Sequence, residues 1–189
     1  MNQQHLDILG TDEWRRTLEE RALPFAFGPF GPDALGGDVL EIGPGPGMTT
    51  DLLRARVPQL TSIELDPALA AALHHRLAGT NVDVVEGDAT AMPFDDDRFT
   101  GTVTFTMLHH VPTAELQDAM FREVARVLHP GGLFVASDGV ARDELAALHD
   151  DDIYNPVDPA TLPARLAAAG FRDVDVESNH LAWACRARV

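Results

Sequence analysis

The chain has 189 residues, enough for one domain with a full core and too few for two of ordinary size. Apolar residues make up 45% and charged residues 23%, the usual range for folded proteins, which excludes a disordered or fibrous chain. Asp and Glu number 30 against 14 basic residues, all of them arginine, and a formal net charge of -16 repels a polyphosphate partner over most of the surface.

In chain order, "MNQQHLDILG" lacks the basic and apolar segments of a signal peptide. No run of ~18 apolar residues occurs anywhere, so a cytoplasmic protein without a membrane span is expected. "TDEWRRTLEERAL" predicts a helix. The Gly/Pro/Phe-rich "PFAFGPFGPDALGG" predicts a loop whose phenylalanines either anchor in the core or form a lid. Residues 1–34 thus read as an N-terminal helix and lid-like loop ahead of a core at 35–189.

Strand-like apolar runs then alternate with helical patterns, at 39–42, 60–65, 82–86, 101–108 and 132–137, followed by 172–177 and 181–189. "DPALAAALHHRLAG" offers Asp66 as N-cap and Pro67 as first helical residue. Leu69, Leu73 and Leu77 form one row, and Gly79 is the stop. "TAELQDAMFREVARVLHPGG" has Thr113 as cap, Leu116, Met120 and Val124 in one row, and Pro130 and Gly131 at its end. "LPARLAAAGF" closes with Gly170. Only "SNH" separates the last two runs, a hairpin length, so the final strand should run antiparallel. The expected fold is α/β: a Rossmann-like doubly wound seven-stranded sheet, mostly parallel with an antiparallel last strand, helices on both faces.

In such sheets ligands sit beyond the C-terminal strand ends, at the switch point. "VLEIGPGPGMTT" follows the first strand there. Gly43, Gly45 and Gly47 permit a sharp turn and close backbone approach, and the helix opening near Thr49 offers unpaired N–H groups. The dinucleotide fingerprint G-x-G-x-x-G does not fit, because Met48 stands where its third glycine belongs. Glu41, just ahead of the loop, disfavours a pyrophosphate and favours a cationic ligand.

"EIGPGPG" resembles the E/D-x-G-x-G-x-G signature of class I S-adenosylmethionine-dependent methyltransferases. Further positions match in order over roughly residues 35 to 189. The resemblance implies that the glycine loop, with Glu41, wraps the methionine part of S-adenosylmethionine. It implies that Glu64 of "SIELD" binds the ribose hydroxyls with Leu65 against the adenine. Asp88 and Ala89 of "EGDATAMPF" would then meet the adenine amino group. Glu64 also stands about 20 residues beyond the glycines, where ribose-binding acids fall. A solvated strand-end carboxylate is the plainer alternative for Glu64, and a turn-forming aspartate for Asp88.

The first half also resembles ribosomal RNA adenine dimethyltransferases. That likeness stops at the fourth strand, where "TFTMLHHVP" replaces an Asn-Leu-Pro-Tyr-like motif, and the acidic surface argues against RNA. "MLHHVP" with "REVARVLHPGG" instead resembles methyltransferases that act on O, N or C atoms of small molecules. A noncatalytic S-adenosylmethionine-binding subunit is the competing reading. Methyl transfer from a sulfonium asks mainly for alignment, which can supply ~7–11 kcal/mol, so a general base is optional. His109 and His110 are the candidates, as weak ones, at a strand end where neighbouring side chains diverge and therefore cannot share a metal. No metal site is expected. Asp150, Asp151 and Asp152 either select a cationic acceptor or form a solvated turn. His74 and His75 read as surface residues, and Cys185 as a buried inert thiol.

Overall fold

In a computed structural model of the protein, the described residues are 7–150 and 152–189. Seven strands, β1 (Asp38–Ile42), β2 (Gln59–Glu64), β3 (Val82–Glu86), β4 (Phe99–Phe105), β5 (Leu128–Gly139), β6 (Arg172–Ser178) and β7 (Ala182–Arg188), form one sheet in the order β3-β2-β1-β4-β5-β7-β6. The five strands β1 to β5 run parallel, and β7 is antiparallel to both of its neighbours. The predicted sheet and its reversed last strand are therefore present. Strand order reverses between β1 and β4, which opens a crevice at their C-terminal ends.

Strand β1 shows why the sheet needs cover on both faces. Leu40 and Ile42 point into one apolar cluster, and Val39 into the other. Helices α5 (Ala114–Val127) and α7 (Leu162–Ala169) fill the first with Met120, Phe121, Val124, Leu162 and Leu166. Helices α3 (Met48–Leu53) and α4 (Pro67–Leu77) fill the second with Leu53, Leu73 and Leu77. Each such side chain contributes ~1.5–3 kcal/mol on full burial, so the α5 row alone fixes that helix to the sheet. The caps are as expected: Asp66 Oδ1 accepts from the amides of Ala68 (2.8 Å) and Leu69 (3.1 Å), and Thr113 Oγ1 from that of Leu116 (3.3 Å). Gly170, at φ +106°, ends α7. His74 and His75 are exposed on α4, and burial pushes the Cys185 thiol up to about 12, which keeps it protonated and unreactive.

Three expectations need correction. The helix expected at residues 11–23 continues past Pro24: α1 (Asp12–Thr17) passes through a π-helical turn (Leu18–Ala22) into α2 (Leu23–Phe27). The wider turn, closed by the Leu23 amide on the Leu18 carbonyl, makes room for a proline ring that would collide with a regular helix. Of the alternatives for the phenylalanines, Phe27 takes the core position, edge-on to Phe105 at 6.0 Å. Its helix is tied down by the buried Arg186, which donates to the carbonyls of Phe25 and of Ala26 (2.8 Å).

Strand β4 stops at Phe105 rather than 108, because Thr106 takes φ +50°, a strained value for a β-branched residue, and residues 108–110 close into a 3-10 turn. Finally, α5 ends at Val127, ahead of Pro130 and Gly131. Leu128 already pairs with Phe99, so sheet pairing overrides the proline and glycine as the stop. A short helix, α6 (Asp143–Leu148), follows β5. Among the described residues no helix is long and apolar enough to cross a membrane.

Candidate active site

The site grows from the end of β1. Gly43 turns at φ +67° with its amide on the Ile63 carbonyl at 3.0 Å, and an added Cβ there would run into Met107 Cγ. Gly47, at φ +85°, is the left-handed residue from which α3 starts. Between them the Gly45 amide donates to Glu64 Oε2 at 3.0 Å, while Glu64 Oε1 accepts from the Asp66 amide at 3.0 Å. One carboxylate thus holds the glycine loop against the end of β2.

A cleft of about 480 Å³ opens beside this loop. One end is lined by Gly43, Gly45, Glu64, Leu65, Asp88 and Ala89, so six of the sequence-derived cofactor positions share one wall. Leu65 is exposed at its mouth. Asp88 Oδ1 accepts from the Thr90 amide (2.8 Å) and hydroxyl (2.7 Å), a turn-stabilising pattern that leaves the carboxylate at the cleft.

Glu41 is placed differently. It faces a small hollow of about 30 Å³ on the other side of the loop, shared with Pro44, Pro46 and the N-terminal Leu9 and Trp14. Its Oε2 accepts from Thr50 Oγ1 at 2.6 Å and Ser62 Oγ at 2.8 Å. Burial pushes this carboxyl up to about 7; the two hydroxyls oppose the shift, and Asp51 and Glu64 add to it. Gly47 reaches neither space and acts in the turn.

The far end of the cleft is made by Met107, His110, Leu116, Met120, Asp152 and Ile153. His109 and His110 do not diverge as strand neighbours would. On the 3-10 turn their ring centroids lie 4.2 Å apart. His110 lines the cleft, whereas His109 is turned to Asp138, with Nδ1 2.7 Å from Oδ1 and its amide on Oδ2 at 3.0 Å. Asp152 Oδ2 is 4.0 Å from His110 Nδ1, Asp150 is exposed, and Asp151 lies outside the described residues.

Sequence reasoning missed Asp138, His149 and Met107. Asp138 was findable, because it ends β5 beside the end of β4, where a doubly wound sheet keeps its ligand groups. Nothing local marks His149, which α6 carries to within 4.8 Å of the His109 ring.

A parallel sheet whose switch point carries a glycine loop clamped by a strand-end carboxylate defines a Rossmann-like nucleoside-binding protein. The family model described as "Methyltransferase domain" matches residues 40–136. The chain belongs to that family, the class I S-adenosylmethionine-dependent methyltransferases.

Over 105 residues it is 38% identical to a probable ribosomal RNA small subunit methyltransferase A of Methanothermobacter thermautotrophicus, covering 49% of this chain and 38% of that protein. It is 33% identical over 129 residues to the phthiotriol/phenolphthiotriol dimycocerosates methyltransferase of Mycobacterium tuberculosis, covering 66% of this chain and 46% of the relative. The chain thus spans less than half the length of both. A solved structure from Pyrococcus horikoshii shares the fold, with TM-score 0.76 at 17% identity over 96% of this chain and 93% of the other.

Proposed function

We propose that the protein transfers a methyl group from S-adenosylmethionine to an O, N or C atom of a small, largely apolar acceptor. The observation that carries this reading is one continuous cleft, which runs from Glu64, Leu65, Asp88 and Ala89 to a second wall formed by Met107, Leu116, Met120 and Ile153. Leu65, Leu116 and Ile153 are apolar and exposed, which suits a hydrophobic acceptor entering from solvent.

The residues present fit the family's cofactor. The backbone at Gly43 comes so close to Met107 that a side chain would fill the cradle. Glu64 lies at the cleft wall with its carboxylate oriented by one amide on each oxygen, which leaves a second lone pair on each for a hydroxyl. Asp88 and Ala89 would meet the adenine amino group and the backbone at Gly43 and Gly45 the methionine part, with Gly47 shaping the turn and Glu41 acting from the other side of the loop. When bound, S-adenosylmethionine supplies a methyl group on a positively charged sulfur. The net charge of -16 suits such a cation. That His110 and not His109 lines the cleft supports His110 as the histidine of the pair that would meet the acceptor.

The second reading, a ribosomal RNA methyltransferase, draws on the archaeal relatives of that name. The acidic charge and "TFTMLHHVP" at the end of β4 weigh against it. The test is release of S-adenosylhomocysteine from labelled cofactor over a panel of apolar alcohols, phenols and amines, beside ribosomal RNA. Turnover with an apolar acceptor alone supports the reading. Turnover on RNA alone overturns it, and cofactor binding without turnover on any acceptor favours a noncatalytic subunit.

A further inference from the structure

Three histidines from two distant segments meet beside the far end of the cleft, with His110 on its wall. His109 and His110 come from the turn after β4, and His149 from the C-terminal cap of α6. Each offers a ring nitrogen, and the three nitrogens lie within 4.8 Å of one another. The rings are close on every side: 4.2 Å between His109 and His110, 4.8 Å between His109 and His149, and 5.0 Å between His110 and His149.

Two of the rings are also oriented from behind. His109 Nδ1 meets the buried Asp138 carboxylate at 2.7 Å, and His149 Nδ1 meets the Leu145 carbonyl at 2.6 Å. A carboxylate or carbonyl on Nδ1 is the arrangement that fixes the tautomer of a metal-ligating histidine and directs Nε2 at the ion. Tyr154 stacks on His149 at 4.7 Å, and its buried hydroxyl meets no partner among the described residues. A buried hydroxyl in that state needs a polar group nearby to complete it.

We propose that His109, His110 and His149 bind one divalent cation of the imidazole-preferring kind, zinc foremost. Three imidazoles without a sulfur ligand suit zinc and its neighbours rather than magnesium or calcium, which take oxygen ligands. Ligand nitrogens in a tetrahedral zinc site stand ~3.3 Å apart, given Zn–N bonds of ~2.0–2.1 Å. The ion therefore draws the rings together, and His110 is the least buried of the three. Among the described residues three histidine ligands come together, and His110 and Asp152 both line the cleft, so the ion would stand beside the acceptor wall. Asp138 acts as a positioning residue through His109. The use of the ion to hold an oxygen or nitrogen of the acceptor rests on the function proposed above; the binding of the ion does not.

The experiment is a zinc titration of chelator-stripped full-length protein against a chromophoric competitor. It is run beside His110→Ala, His149→Ala and the control His74→Ala/His75→Ala, with cobalt added in parallel for its visible absorption. One equivalent bound with sub-micromolar affinity is expected in the wild type and the control. At least ~100-fold weakening is expected in each site variant, since loss of even an outer-shell partner costs ~10–100-fold. Cobalt should give an intense tetrahedral spectrum that Asp138→Asn shifts, a change that loss of packing alone does not produce. Near-UV circular dichroism confirms that each variant is folded, and the partly exposed His110 position keeps the test valid if His149→Ala is not.

No zinc binding by the wild type overturns the proposal, as does binding that survives both site variants. Failure of S-adenosylmethionine to bind would sink the functional reading and leave the zinc titration untouched.

Discussion

The Gly45 amide donates to the Glu64 carboxylate at 3.0 Å, joining the glycine loop after β1 to the end of β2. The residue expected from family likeness to hold the ribose therefore also shapes the loop proposed to take the rest of the cofactor.

Replacing Glu64 tests both roles. Hydrogen bonds to a charged group are worth ~1.5–3 kcal/mol, so Glu64→Ala should weaken S-adenosylmethionine about 10–100-fold in calorimetric titration. The amide protons of Gly45 and Asp66 should exchange faster with solvent in the same variant. Unchanged affinity would remove Glu64 from the cofactor site.

Glu41 makes stability depend on pH in a direction opposite to most acidic residues. Its carboxyl titrates at about 7 when folded against 4.5 as the ordinary value. Below the lower value it is neutral in both states and carries no penalty. Stability falls as pH rises between the two, and above the upper one the whole cost of a buried charge is present, on the order of 3 kcal/mol. Glu41→Gln should therefore raise the urea midpoint at pH 8 while leaving it almost unchanged near pH 4.5. An equal effect at both pH values would show that the group does not titrate this way.

Gly43→Ala combines a positive φ with a collision against Met107. A loss of ~1–3 kcal/mol is expected from the backbone strain and more from the clash. Adding Met107→Ala should restore part of the stability by giving the new methyl room. A double variant no better than the single would place the whole cost in the backbone.

Arg186 is buried between α2 and the last two strands, with Nη1 2.8 Å from Asp175 Oδ2 and its other nitrogens on the Phe25 and Ala26 carbonyls. Arg186→Met should cost ~2–6 kcal/mol, because the Phe25 and Ala26 carbonyls each lose a charged donor at ~1–3 kcal/mol apiece, while the exposed Asp175 loses little. It should also make the 23–30 segment the first site of proteolysis. A cut elsewhere would mean that Phe27 alone holds the segment.

Much of this site is legible from residue order because its parts are local. A glycine run carries its geometry in a few neighbouring residues, so Gly43, Gly45 and Gly47 stand out from residue order, whereas Glu64 and Asp88 are picked out by the resemblance to the methyltransferases. The strand end at Phe105 was not legible, since "TFTMLHHVP" continues the apolar run and only the positive φ of Thr106 stops it. The meeting of His149 with His109 was hidden for a different reason. It depends on where β5 and α6 leave the chain in space, and no periodicity encodes that. Pro24 misled because a π turn can absorb a proline that a regular helix cannot.

Strand β7 is synthesised after every other strand of the sheet, yet it lies inside it, between β5 and β6. β6 is made with no partner to pair with, and the exposed edge of β5 stays unsatisfied until β7 follows. Arg186 of that same strand secures helix α2, so one of the earliest segments made also waits for the latest strand. Assembly is thus ordered by topology: five of the seven strands can pair as they appear, and β7 then joins β6 to them in a single step.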